Sequence, residues 1–175
     1  MKTDRIPGRP EPGEAAPYYF TYIDRVTSDD VTAVLTAQLE EALAFLLEIS
    51  EQRSLHHYAP EKWSVREVLN HVNDAERVFV LRALWFARGF DTPLPSFDEK
   101  VSASAAGADG FSWASHLEEF RGVRSATLAF FRHLRVEAWT RAGVASGNRV
   151  TVRALAYIVA GHLDHHLAVL RDRYR

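Results

Sequence analysis

Four separate stretches of this chain return an apolar residue every three or four positions, and few folds can satisfy that pattern. The first holds Val31, Val34, Leu35, Gln38, Leu39, Ala42, Phe45, Leu46 and Ile49; the second holds Val65, Val68, Val72, Ala75, Phe79, Ala83 and Phe86. The third holds Leu117, Phe120, Val123, Thr127, Phe130, Phe131 and Leu134, and the fourth Val152, Leu155, Ile158, Val159, Leu163, Val169 and Leu170. Each stripe is the apolar face of an amphipathic helix, and almost no alternating strand pattern stands beside them. Helices of this kind bury their stripes against one another, so the expected class is all-α, a four-helix bundle.

Capping signals set the boundaries. Ser28-Asp29-Asp30 opens a first helix expected over residues 29–52, and Ser64 with Glu67 forms a capping box opening a second that reaches Arg88 before Gly89. Ser112-Trp113 opens the third helix, and Thr151 caps the last, which runs to Tyr174. Between the second and third helices, residues 90–111 carry Pro93, Pro95, Gly107, Gly110 and the run Ser102-Ala103-Ser104-Ala105-Ala106, leaving room for one short turn near Asp98 to Ser102. A connection this long points to a crossover between helices that are not antiparallel neighbours, with Phe97 and Asp98 folding over one bundle end. Gly143 and Gly147-Asn148 predict a small hairpin or irregular loop before the last helix.

Residues 1–17 hold four of the seven prolines, Pro7, Pro10, Pro12 and Pro17, with Gly8 and Gly13 between them. An extended Pro-rich arm is expected there, ahead of a single domain over 18–175. Tyr18, Tyr19, Phe20, Tyr22 and Ile23 form an aromatic knot that needs cover, from the bundle or from a partner subunit.

Composition removes several functions. There is no cysteine, so disulfides, thiolate metal sites and a cysteine nucleophile are excluded. The 21 basic and 23 acidic residues are interspersed and leave a net charge of −2, which gives nucleic acid no electrostatic footprint. No basic stretch leads into an apolar h-region, and no run of about 18 apolar residues occurs. No membrane association and a cytoplasmic location are therefore expected.

Three of the eight histidines fall within Gly161-His162-Leu163-Asp164-His165-His166. With His162 at 0° on a helical wheel, the apolar face centres near about +30° and His166 lies at about +40°. Both rings thus sit one turn apart in the middle of the core stripe. His165 lies near about −60°, at the edge of that face, and Asp164 near about 200°, pointing outward. Buried imidazoles need partners, at a cost of about 1–3 kcal/mol if left unpaired. Either they hydrogen-bond to facing helices, or the i, i+4 pair chelates a metal as in H-E-x-x-H. Without cysteine such a metal would be zinc, nickel, iron or manganese, with copper also compatible. His71 lies about 80° off the centre of the second helix's face, a flank position. His56-His57, beside Pro60, reads as a solvated loop.

The stretch Tyr58-Ala59-Pro60-Glu61-Lys62-Trp63-Ser64-Val65-Arg66-Glu67-Val68-Leu69-Asn70-His71-Val72 resembles the start of the second helix in the DinB-like superfamily, which includes the bacillithiol S-transferases. Gly161 to Leu170 is similar to that family's last helix with His-x-x-x-His, and Trp139 with Thr151-Val152-Arg153 to its approach. The resemblance spans most of residues 28–174. It implies a bundle with a long second-to-third crossover, and a divalent metal held by His71, His162 and His166. Three protein ligands leave a position open for a water or a thiol, as in a catalytic site. The implied activity is that of a metal-dependent S-transferase or hydrolase acting on a small molecule, with a low-molecular-weight thiol as cosubstrate; the alternative is a non-catalytic bundle binding metal or a small ligand. A homodimer is also implied. Around the site, Asp74 and Glu76 are candidates to orient a ligand imidazole, Arg82 to hold an anionic group or an ion pair, and His165 to shuttle a proton or face solvent. Protons should compete with the metal as pH falls from about 6 toward 5.

Overall fold

Each long stripe becomes a helix that begins where a side chain accepts its free N–H groups. In the computed structural model, which describes residues 8–174, Asp30 caps α2 (Val31–Leu47) by accepting from the Ala33 N–H at 3.0 Å. Ser64 and Glu67 complete a reciprocal capping box on α3 (Val65–Ala87). Ser112 caps α5 (Trp113–Arg132) and Thr151 caps α6 (Val152–Arg173). Shorter elements complete the chain: α1 (Phe20–Ile23), α4 (Glu99–Ala106) and an antiparallel hairpin of β1 (Ala142–Ala145) and β2 (Asn148–Thr151). The hairpin turns through Ser146 and Gly147, both at positive φ (52° and 74°), as a tight two-residue turn requires.

Side-chain pairs fix the helix directions. Gln38 meets Ala160 and Asp164, and Arg171 lies over Phe45, so α2 and α6 run parallel. Arg66 meets Phe111, Arg77 meets Glu119, and Arg88 lies over Phe130, so α3 and α5 are parallel too. The two pairs oppose each other: Trp113 donates to the Leu46 carbonyl while Arg124 reaches Gln38, and His71 lies beside His162 while Arg82 reaches Ser146. The order is up, down, down, up. Two successive parallel helices force the connection between them to travel back the whole length of α3, about 33 Å. The crossover does so along the outside of α3: Trp85 donates to Thr92, Arg82 to Pro95, Ser102 to Asp74, and Arg66 to Asp109 and Phe111.

Three details differ from the sequence expectation. The first helix stops at Leu47, short of residue 52, because Glu51 serves elsewhere: its carboxylate binds Arg66 and accepts from the Trp113 N–H at 2.9 Å. The crossover holds two turns of helix, α4, capped by Asp98 through the Lys100 and Val101 N–H groups. Asp164 does not point to solvent. It accepts from Gln38 at 2.7 Å, because α2 lies along the face of α6 that the wheel left polar.

The middle of α6 is buried on all sides, from Ala154 to Leu163. One apolar cluster surrounds its first half with Phe79, Phe86, Phe131 and Trp139; a second surrounds its later half with Leu43, Leu69, Val72, Trp113 and Phe120. Beside them a polar network joins all four long helices: Arg124 (0% exposed) forks onto the Glu76 carboxylate at 2.9–3.2 Å and reaches Gln38, which donates to Asp164. The N-terminal knot docks only in part on its own chain: Ile23 is fully buried, Tyr19, Phe20 and Tyr22 are half-buried, Tyr18 is 64% exposed, and α1 lies so close to α6 that a Cβ on Gly161 would overlap the Tyr22 carbonyl. Ahead of them, Glu14 pairs with Arg153 and accepts from Thr151, and Arg9 donates to the Val26 carbonyl. Residues 1–7 of the expected arm, Pro7 among them, and Arg175 lie outside the described residues. Among the described residues, no helix is long and apolar enough to cross a membrane.

Candidate metal centre

The second turn of α3 and the middle of α6 aim three imidazoles at one point. His162 Nε2 lies 3.1 Å from His71 Nε2 and 3.1 Å from His166 Nε2, and the three nitrogens all fall within 4.8 Å of one another. The rings stand edge to face, with centroids 4.5–5.0 Å apart. Tetrahedral binding at about 2.05 Å would put two ligand nitrogens about 3.3 Å apart, close to these spacings.

Hydrogen bonding alone serves such a trio poorly. A neutral imidazole nitrogen either donates one hydrogen or accepts, so three facing nitrogens satisfy one another only in part. The donor set, three imidazoles without thiolate, suits a borderline divalent ion. The helical wheel left His71 on a flank, yet it is 5% exposed, as is His162. The reason is tertiary: the Trp63 ring covers His71 at 4.9 Å, and α6 closes the other side.

Burial sets the charge state. It pushes the His162 pKa well below the ordinary value, with His166 and His71 adding repulsion. It drives His166 down to about 3 and lowers His71 as well, against the opposing pull of Glu99 and Asp74. All three rings are therefore neutral near pH 7, the form that binds metal. Tyr22 and Phe79 pack edge-on against His162, at 5.2 and 5.8 Å.

On the open side lies a cavity of about 610 Å³, bounded by Tyr18, Tyr22, Phe79, Arg82, Phe97 and Glu99 together with His71 and His162. Glu99, at the start of α4, brings Oε2 to 4.0 Å from His71 Nε2. Sequence reasoning missed Glu99 and Tyr22. No local pattern marks either one, since the return of the crossover and the docking of α1 place them there. Phe97 and Asp98, expected to fold over a bundle end, instead line this cavity on the flank of α3.

The other candidates divide. Glu76 is committed to Arg124, and Asp74 accepts from Asn70, Arg77 and Ser102, so neither meets an imidazole nitrogen. His165 stands outside the trio, with Nδ1 3.3 Å from Arg25 and its ring against Tyr22 and His166. Burial and Arg25 lower its pKa. Arg82 is buried and donates to the Pro95 carbonyl and to Ser146 Oγ. His57, Glu67 and Asp109 form a second group with ligand spacing, but Glu67 serves the capping box, Asp109 accepts from Ser64, and His57 meets the Lys62 carbonyl.

Comparison with known proteins agrees with this architecture. A sequence model described as the DinB superfamily matches residues 7–170. Among solved structures, the chain is similar to YfiT from Bacillus subtilis, described as a probable metal-dependent hydrolase with an unusual four-helix bundle topology. The TM-score is 0.70 at 18% sequence identity, over 95% of this chain and 91% of that one. At that identity the likeness is one of fold. A search of curated proteins finds no match.

Proposed function

We propose that this chain, which belongs to the DinB superfamily, is a metal-dependent enzyme of hydrolase type in which His71, His162 and His166 hold one divalent ion, zinc, nickel, iron or manganese. The observation that carries this reading is the convergence of three neutral Nε2 atoms, two on buried rings and one on a half-buried ring, on one point beside a cavity. Bound there, such an ion supplies Lewis acidity, lowering the pKa of a water at its open position toward about 7, or holding a thiol as thiolate.

The chain's own residues supply the rest. The two α6 histidines fix two ligand directions on a rigid helix, and His71 closes the set from α3. Tyr22, Phe79 and Trp63 hold the rings in place. Glu99, beside His71 at the cavity mouth, accepts the proton that a water nucleophile must lose. A thiol would release its proton to the same carboxylate on becoming thiolate, so Glu99 serves either nucleophile. The likeness in fold to YfiT, described as a probable metal-dependent hydrolase, supports the hydrolytic reading.

Metal analysis of protein purified without a polyhistidine tag or chelator is expected to find about one divalent ion per chain. His162→Ala and His166→Ala should each remove most of it; undiminished metal in both would overturn the assignment. Glu99→Gln should keep the metal and lose hydrolysis, and a low-molecular-weight thiol added to the substrate screen decides between water and thiol. We place the protein in the cytoplasm as a homodimer. The dimer draws its support from the apolar strip of Leu81 (52% exposed), Leu84 and Phe130 along the groove between α3 and α5. Fractionation and light scattering check the two, and a monomer at micromolar concentration would overturn the dimer.

A further inference from the structure

Arg82 carries a permanent charge into the interior without a counter-charge. It is 5% exposed, and its two partners, the Pro95 carbonyl at 3.1 Å and Ser146 Oγ at 3.0 Å, are both neutral and both bind Nη2. Nε and Nη1 have no acceptor among the described residues. No described carboxylate pairs with it either: Asp98 caps α4, and Glu99 faces His71. Neither nitrogen is sealed from solvent, so both open onto the cavity, and an anion there would meet a charge that has no carboxylate beside it. The other two buried arginines have such a partner, Arg124 in Glu76 and Arg66 in Glu51.

The same side chain bounds the cavity that His71 and His162 bound. Eleven positions after His71 on α3, it returns to within about 20° of the same face, about 16 Å further along the axis. Tyr18, Phe79 and Phe97 give the cavity aromatic walls, and Asp98, Glu99 and Lys100 of the crossover line it as well.

We infer that Arg82 is the oxyanion subsite of this cavity: the substrate is a small molecule with a carboxylate or phosphoryl group that seats on Arg82 while its reacting bond lies at the histidine cluster. The assignment of the reacting end rests on the function proposed above; the anion subsite stands on Arg82 and the cavity alone. Pro95 and Ser146 hold the guanidinium by Nη2 and leave Nε and Nη1 for the ligand, so the crossover and the hairpin turn act as the jig that orients it. A neutral Gln could hold the same carbonyl and hydroxyl, and only an anion needs the charge.

The test uses the full chain stripped of metal, so that no ion competes for the anion. Acetate and inorganic phosphate are titrated separately while backbone and Arg Nε resonances are followed. Shifts are expected at Arg82, Ser96 and Phe97, and the stronger of the two anions identifies the group as carboxylate or phosphoryl. Arg82→Gln should weaken that binding about tenfold or more, the loss expected for charged hydrogen bonds. His133→Ala, at an exposed histidine outside the cavity, should leave it unchanged. Undiminished binding in Arg82→Gln, or wild-type shifts that avoid the cavity, would overturn the inference. Should Arg82→Gln fail to fold, the wild-type shifts and Arg82→Lys decide it: the lysine keeps the charge and loses the fork, so weakened binding supports the subsite and undiminished binding overturns it. Protein that takes up no divalent ion yet binds the anion at Arg82 supports the subsite while overturning the metal reading. Protein that holds a metal but no anion overturns the subsite alone.

Discussion

Acid reaches His162 only by charging a ring enclosed between Tyr22, Phe79 and two other imidazoles. Its folded pKa lies well below the ordinary value of about 6.5, and that of His166 lies at about 3. Above pH 6.5 these rings are neutral in both folded and unfolded chains and add no pH dependence. Below it the unfolded chain takes up protons that the folded chain refuses, so stability falls with pH, and for His166 the fall continues to about pH 3. Each imidazole that stays neutral costs about 2 kcal/mol by pH 5. Urea unfolding of metal-free protein at pH 7, 6 and 5 should show this loss, and His162→Leu should make it shallower. A flat profile between pH 7 and 5 would contradict the burial. Burial likewise moves proton competition for a metal below the range of pH 6 to 5 that free imidazole predicts, because the folded site is already deprotonated there.

Among the elements, α6 carries two apolar clusters, two of the three converging histidines and one end of the polar network that ties the helices together. That network sets a clear expectation. Arg124→Ala or Glu76→Ala should each destabilise by about 3–5 kcal/mol, because each leaves a buried charge alone. The double change Glu76→Leu with Arg124→Met should recover much of that loss, since neither charge then needs a partner. Denaturation midpoints of the three variants measure it, and single variants within about 0.5 kcal/mol of wild type would refute the pairing. The crossover adds the second lesson at this scale. Its glycines and prolines reveal a long connection, but its path along α3, and the carboxylate it delivers to His71, come from the parallel direction of α3 and α5.

For the molecule as a whole, a ligand that joins α3 to α6 should stabilise the fold by mass action, by about 4 kcal/mol at a thousandfold excess over its dissociation constant. For a chain of this size that corresponds to roughly 10 °C in melting temperature. His71→Ala should abolish most of the zinc-induced shift while folding without metal, and an unchanged shift would remove His71 from the ligand set. The four long helices, the caps at Ser64, Ser112 and Thr151, and the pairing of His162 with His166 were all legible in the chain. They depend on residues within a few positions of one another, where a helical repeat and a capping hydrogen bond are local physics. What only the tertiary structure decided is what faces these groups: Trp63 and α6 over His71, α2 against Asp164, Glu76 on Arg124, and, among the described residues, no carboxylate on Arg82. A helical wheel carries the direction of a side chain from its own axis. Burial, charge state and partners depend on the neighbouring helix, and that neighbour is set by packing between residues tens of positions apart.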